Sequence, residues 1–153
     1  MHGIETTKKG GNTLFSNMYE AYASLDVSIK KRIDRLYVMH DHDFIIRQSR
    51  HLSKKIDKGR YDSLPPVCHP LVQKHPVTGR RSLFLSPHTM DYIVGMKRNE
   101  SRRLLDELIL HATAEKFVYK HIWENDDVVM WDNRCTMHAV EPFDNTSVRR
   151  VMH

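Results

Sequence analysis

The sequence predicts a mainly β domain with flanking helices, and three observations carry that reading. The 153 residues allow one domain and leave little room for two. From residue 118 onward, short apolar runs rich in Val, Thr, Tyr and Trp alternate with turns containing Asn, Asp and Pro, which is strand composition. Two stretches, 18–37 and 100–112, instead place apolar residues at helical spacing.

Gly10-Gly11-Asn12-Thr13 is a turn signal. Asn17 with Glu20 three residues on has the form of a capping box, so a helix is expected to begin near Asn17, with Met18, Tyr22 and Leu25 on one face. A second amphipathic pattern follows through Ile29, Ile33, Leu36 and Tyr37, its other face carrying Lys30, Lys31, Arg32 and Arg35. Residues 40–60 are polar without sustained period and read as a long surface loop. A β-hairpin is expected where Val67, Leu71 and Val72 lead through the His75–Arg80 turn into Ser82-Leu83-Phe84-Leu85. A helix is expected over 100–112, with Leu104, Leu105, Leu108 and Ile109 as its buried stripe. Strands are expected over 118–123, 128–131, 136–140 and 147–152.

Composition narrows the function classes. Hydrophobic residues at 40% and charged residues at 28% suit a globular core, and no repeat or low-complexity tract is present. No run of about eighteen apolar residues suggests a membrane span, and the N-terminus lacks a signal-peptide core, so cytoplasmic residence is the default. The net charge of +5 suits an anionic partner. Cys68 and Cys135 are too far apart for a CxxC knuckle or redox pair. The 11 histidines point to metal, since imidazole is the commonest metal ligand.

Ligand spacing tests that idea. A non-haem Fe(II) oxygenase needs two imidazoles and a carboxylate on one face, leaving positions open for co-substrate and dioxygen. No histidine here has Asp or Glu two places on, and HExxH is absent. His40-Asp41-His42-Asp43 is the densest cluster of ligand types, but it enters a charged loop, where solvated side chains are the ordinary outcome. His69 and His75 each precede proline and read as turn or loop residues.

The most unusual segment is Trp131-Asp132-Asn133-Arg134-Cys135-Thr136-Met137-His138, a polar tetrapeptide between apolar runs. Asp132 and Asn133 could simply form a turn, Arg134 could pair with Asp132, and His138 could be a core histidine. Beyond His138, across a Pro-containing loop, come Arg149 and Arg150. An antiparallel hairpin would bring His138 beside one of them. An imidazole for a metal and a guanidinium able to grip a carboxylate through two hydrogen bonds would together suit an α-keto diacid.

Three blocks of residues resemble the taurine and chlorophenoxyacetate dioxygenase (TauD/TfdA) family of Fe(II)/2-oxoglutarate-dependent oxygenases. Gly10-Gly11-Asn12-Thr13-Leu14-Phe15 with Ala21-Tyr22 and Leu25 is similar to its GGDT-x-F…AY-x-x-L stretch. His69-Pro70 through His75-Pro76-Val77-Thr78-Gly79, with Leu83-Phe84, is similar to its HP…HP-x-TG…LF hairpin. Trp123, Asp127, Trp131-Asp132-Asn133-Arg134, His138 and Arg149-Arg150-Val151-Met152-His153 are similar to its closing segment, the most specific of the three. The resemblance implies a partial double-stranded β-helix, or jelly roll. It implies His138 as the distal iron ligand, Arg150 or less favourably Arg149 on the far carboxylate of 2-oxoglutarate, Thr13 as a hydroxyl donor to that carboxylate, and Trp131 near the iron. The implied reaction hydroxylates a small organic acid, of sulfonate or aryloxyalkanoate type, with dioxygen, releasing succinate and CO2.

The chain departs from the family pattern in three places. The family's His-x-Asp ligands lie upstream of the GGDT block and are absent here; Asn12 replaces Asp; and the chain ends at His153, where the family usually has a further arginine. Residues 1–153 are therefore expected to be the C-terminal part of one dioxygenase domain, inactive in isolation because a single imidazole does not hold Fe(II) tightly. The alternative is a degenerate, non-catalytic relative that binds an anion or nucleic acid through Lys30, Lys31, Arg32, Arg35, Arg102 and Arg103. That alternative lacks interleaved aromatics or a nucleic-acid motif, so neither a nucleic-acid nor a membrane partner is expected. Homo-oligomerisation is left open.

Overall fold

The computed structural model describes residues 1–7, 9–42, 44, 64–143 and 150–152. Its organising element is a three-stranded antiparallel sheet in which β2 (Thr13–Asn17) lies between β8 (Val118–His121) and β9 (Thr136–Val140). Phe15 stands opposite Tyr119 on one side and His138 on the other, and Thr13 opposite His121 and Val140. Side chains alternate along a strand while cross-strand partners share a face. One face therefore carries Thr13, Phe15, Tyr119, His121 and His138.

The opposite face turns to the core. Ser16 donates from Oγ to Ala112 O at 2.5 Å, and Met137 packs against the buried apolar cluster. That cluster draws on α1 (Met18–Ala23), α2 (Val27–Ile33) and α3 (Arg98–Ala112). α3 buries Leu104, Leu105, Leu108 and Ala112, the stripe expected of it apart from Ile109, which is half-buried at its edge. Asn17 caps α1 as expected, its Oδ1 accepting from the N–H groups of Tyr19 and Glu20. Glu20 pairs instead with Arg80 at 2.8 Å, so the reciprocal half of the capping box gives way to a tertiary ion pair.

A second antiparallel sheet sets β3 (Tyr37–His40) between β4 (Val67–Pro70) and β7 (Met90–Ile93). The expected hairpin forms from β5 (Val72–Lys74) and β6 (Arg81–Leu83), with Gly79 at φ +69° in its turn. The Gly10-Gly11 turn is also present, both residues at positive φ. A Cβ on Gly10 would fall 2.3 Å from Pro142 O, so glycine lets residues 142–143 close over the start of β2.

Three expectations are corrected, and two strands form that the sequence did not suggest. Tyr37 begins β3 and is half exposed rather than ending a helical stripe, because α2 stops at Ile33 and Leu36 N–H turns back to Ile33 O. β7 and an N-terminal strand, β1 (His2–Glu5), form without a clear strand pattern. Residues 128–131 are not a strand: Val128 bridges His2, Val129 exchanges backbone bonds with Met1, and Val128 and Met130 are exposed. Finally, β9 does not pair with β10 (Arg150–Met152). β2 occupies one edge of β9, and β10 pairs with β1, Arg150 opposite Glu5. The expectation for 40–60 falls, beyond residues 40–42 and 44, outside the described residues.

Candidate functional site

His138 is exposed in β9, on the face shared with Thr13 and Phe15, so it is not a core histidine. Its ring meets Trp131 edge-on, centroids 4.9 Å apart, and lies 6.2 Å from Phe15, which in turn packs 5.1 Å from Trp131. The two aromatics fix the imidazole plane on one side. His138 also borders an open cavity of about 430 Å³ with Phe84, Ser86, Pro87, His88 and Asn133 on its wall.

Thr13 is fully buried, and its Oγ1 accepts a 2.9 Å hydrogen bond from Trp123 Nε1. An indole N–H only donates. The threonine proton is therefore not spent on this contact and remains to be donated to a ligand oxygen. Trp123 is itself held by close packing against Gly3, where a Cβ would approach its Cε3 to 2.8 Å.

The loop that delivers His138 is pinned by His75. Nδ1 of this buried ring accepts from the N–H groups of Val77 and Thr78 at 3.3 and 3.2 Å, which places the ring proton on Nε2. Nε2 then donates to Asp132 Oδ2 at 3.0 Å. Arg134 grips the same carboxylate through Nε at 2.8 Å and through Nη2. Hydrogen bonds from Arg134 and then His75 hold the Asp132 carboxyl well below the usual carboxylate range. Ser82 adds a bond to Arg134 O, and Met18 N–H one to Cys135 O. The turn and the Asp132–Arg134 pair allowed for in the sequence are both present, with Cys135 N–H closing on Asp132 O.

Among the described residues, the one trio of His, Cys, Asp or Glu side chains within ligand distance is His75, Asp132 and Cys135. Both nitrogens of His75 and both oxygens of Asp132 are already committed, so this trio is a structural joint. His138 is not a member of that trio. A three-ligand iron centre is thus not completed by the described residues.

Of the residues singled out in the sequence, Thr13, Trp131 and His138 gather on or over one sheet face. Arg150 lies in β10, outside that sheet, and its side chain and the whole of Arg149 fall outside the described residues. Among the described residues no β9–β10 ladder forms, so the hairpin expected to bring His138 beside an arginine is not found there. Sequence reasoning missed the role of Trp123 and the His75–Asp132 bond. The motif containing His75 was legible, but its partner lies 57 residues away.

His40, His69 and Phe84 form a separate ring cluster, centroids 5.2–5.6 Å apart, joining β3, β4 and the residue after β6. Burial, and then the nearby His69, lower the His40 pKa to about 4, so His40 is neutral.

The family model described as "Taurine catabolism dioxygenase TauD, TfdA family" matches residues 1–153. The chain is 38% identical over 155 residues to the alpha-ketoglutarate-dependent 2,4-dichlorophenoxyacetate dioxygenase of Burkholderia sp. (strain RASC), covering 99% of this chain and 50% of that protein. It is 38% identical to the (S)-phenoxypropionate/alpha-ketoglutarate-dioxygenase of Sphingobium herbicidovorans, covering 94% of this chain and 51% of the relative. The crystal structure of AAD-2 in complex with Mn(II) and N-oxalylglycine, an analogue of 2-oxoglutarate, superposes with a TM-score of 0.85 at 39% identity, over 97% of this chain and 58% of that one. A taurine dioxygenase structure from Burkholderia xenovorans gives 0.76 at 32% identity, over 94% and 46%. These neighbours have a jelly-roll fold, of which this mainly antiparallel chain carries a part. The chain spans about half the length of the curated relatives it matches. No helix among the described residues is long and apolar enough to cross a membrane. With a family model matched along its whole length, the chain belongs to the TauD/TfdA dioxygenase family.

Proposed function

We propose that this chain is the C-terminal part of a cytoplasmic Fe(II)- and 2-oxoglutarate-dependent dioxygenase that hydroxylates a small organic acid of aryloxyalkanoate or sulfonate type. The observation that carries the reading is His138 exposed beside Trp131, at the mouth of a cavity, on the same sheet face as the buried hydroxyl of Thr13. Iron with 2-oxoglutarate would supply the activation of dioxygen, with succinate and CO2 released. In this reading His138 gives one ligand, and the other two, a His-x-Asp pair, come from outside these residues. Thr13 donates to the far carboxylate of 2-oxoglutarate, and Arg150, or less favourably Arg149, pairs with it. Trp131 and Phe15 hold the His138 ring in place and keep water from that side of it. The names of the two aryloxyalkanoate relatives support the substrate class, and the free thiols of Cys68 and Cys135 suit a reducing compartment.

The test is to read the coding sequence upstream of Met1 and assay the extended protein. An in-frame His-x-Asp is expected, and the extended protein should release succinate from 2-oxoglutarate with phenoxyacetate present. His138→Ala should abolish release, and the 153-residue chain alone should show none. An extended protein without turnover would overturn the reading. Stoichiometric iron with turnover in the isolated chain would overturn the incomplete ligand set and promote His40 or His42.

A further inference from the structure

A line of hydrogen bonds runs from the core of the second sheet to the wall of the cavity beside His138. His40 Nδ1 lies 2.8 Å from Thr89 Oγ1, and Thr89 donates from that oxygen to Ser86 Oγ at 2.9 Å. With the Thr89 proton committed to Ser86, the bond to His40 can form only if Nδ1 carries the hydrogen. A neutral imidazole has one such hydrogen, so Nε2 is bare, and it is buried without a partner among the described residues. That direction agrees with the neutral state that burial imposes on His40. Each group therefore donates to the next: His40 to Thr89, and Thr89 to Ser86.

The last group in the line is Ser86, which borders the cavity. Its oxygen already accepts from Thr89, and no acceptor among the described residues takes its own proton. Bonds in such a chain polarise one another, which strengthens the terminal O–H as a donor. Backbone bonds from Thr89 and Met90 to Ser86 O fix the turn that carries it. The rest of the wall sets apolar Phe84, Leu85, Pro87 and Met137 beside polar His88, Asn133, Thr136 and His138. Apolar side chains beside an oriented donor suit a ligand with an aromatic or aliphatic body and an acceptor oxygen.

We propose that Ser86 is a specificity-determining residue, whose hydroxyl, aimed through Thr89 by His40, binds an acceptor oxygen of an aryloxyalkanoate held in the cavity next to His138. This assignment rests on the dioxygenase reading above for its substrate class, but it concerns binding and needs neither iron nor turnover.

The test is a titration of the isotope-labelled 153-residue chain with phenoxyacetate, followed by amide chemical shifts. Shifts are expected at residues 84–86, 88 and 137–138. Ser86→Ala should weaken the dissociation constant about tenfold, the effect of one hydrogen bond. Thr89→Val, which leaves Ser86 in place but removes its orienting donor, should weaken it about threefold, and Thr89→Ser should restore wild-type binding. That rescue separates orientation from mere packing. 3-Phenylpropanoate, in which CH2 replaces the ether oxygen, locates the contact. Equal weakening of both acids in Ser86→Ala assigns the carboxylate; weakening of phenoxyacetate alone assigns the ether oxygen. Unchanged binding of both acids in a folded Ser86→Ala chain would overturn the proposal, as would an absence of shifts at these residues in the wild-type chain. An extended protein that binds phenoxyacetate through Ser86 yet never turns over would strike the dioxygenase reading and leave this one intact.

Discussion

His75 Nε2 lies 3.0 Å from Asp132 Oδ2, and this bond ties the β5–β6 turn to the loop that precedes His138. The ring can serve only as a donor there, because its other nitrogen accepts two backbone N–H groups within its own turn. The same carboxylate is gripped by Arg134. The joint thus orients β9 from outside the sheet that contains it.

His75→Ala leaves the N–H groups of Val77 and Thr78 without their acceptor and removes a donor from Asp132. The expected cost is about 1–3 kcal/mol, read as a lower urea midpoint at unchanged slope. Because the Asp132 pKa is depressed in the folded chain, its contribution is present above the ordinary carboxylate pKa and is lost as pH falls through the depressed value. Asp132→Asn should therefore lower the melting temperature near neutral pH and flatten its fall below about pH 4. A parallel acid limb in the variant would contradict the pairing.

Trp123→Phe retains most of the buried ring but removes the N–H that Thr13 Oγ1 accepts. A loss of about 0.5–1.5 kcal/mol is expected, measured by chemical denaturation. Thr13→Val should cost a similar amount, and the double variant less than the sum, since both remove the same bond.

Gly3→Ala places a methyl against the Trp123 ring and Glu124 O, at 2.8 and 3.3 Å. The ring is buried and cannot swing aside freely, so about 1–3 kcal/mol of destabilisation is expected from overpacking. Fluorescence of Trp123 should shift at the same time, which distinguishes this clash from a general loosening of β1.

His40 titrates about 4 in the folded chain against an ordinary 6.5. The unfolded chain binds the proton first, so stability is lost as pH falls from about 6.5 to about 4. His40→Asn, which keeps a donor toward Thr89, should remove that slope. Discounting for the partly open surroundings, the difference at pH 4 is on the order of 1–2 kcal/mol. Melting temperatures across this window check it.

Local chemistry was legible wherever neighbours in sequence decide it. The Asn17 cap, the α3 stripe and the Gly79 hairpin each follow from residues within a few positions of one another. β1 was not legible, because four residues with little apolar content become a strand only through partners at the far end of the chain. The run at 128–131 failed for the converse reason: its composition favours a strand, but among the described residues it meets only a single bridge from His2 and the backbone of Met1.

By itself the sequence determined the family motifs and, through them, the choice of His138, Thr13 and Trp131. Motif residues keep their spacing because the turns and strands that present them are local. The tertiary structure alone decided that Thr13, Phe15 and His138 share a face, since register between strands more than a hundred residues apart is set by packing of the opposite face on α3. It also decided that β10 lies against β1 rather than β9. The same long-range placement brings Ser86, oriented from His40 in another sheet, to the cavity that His138 borders.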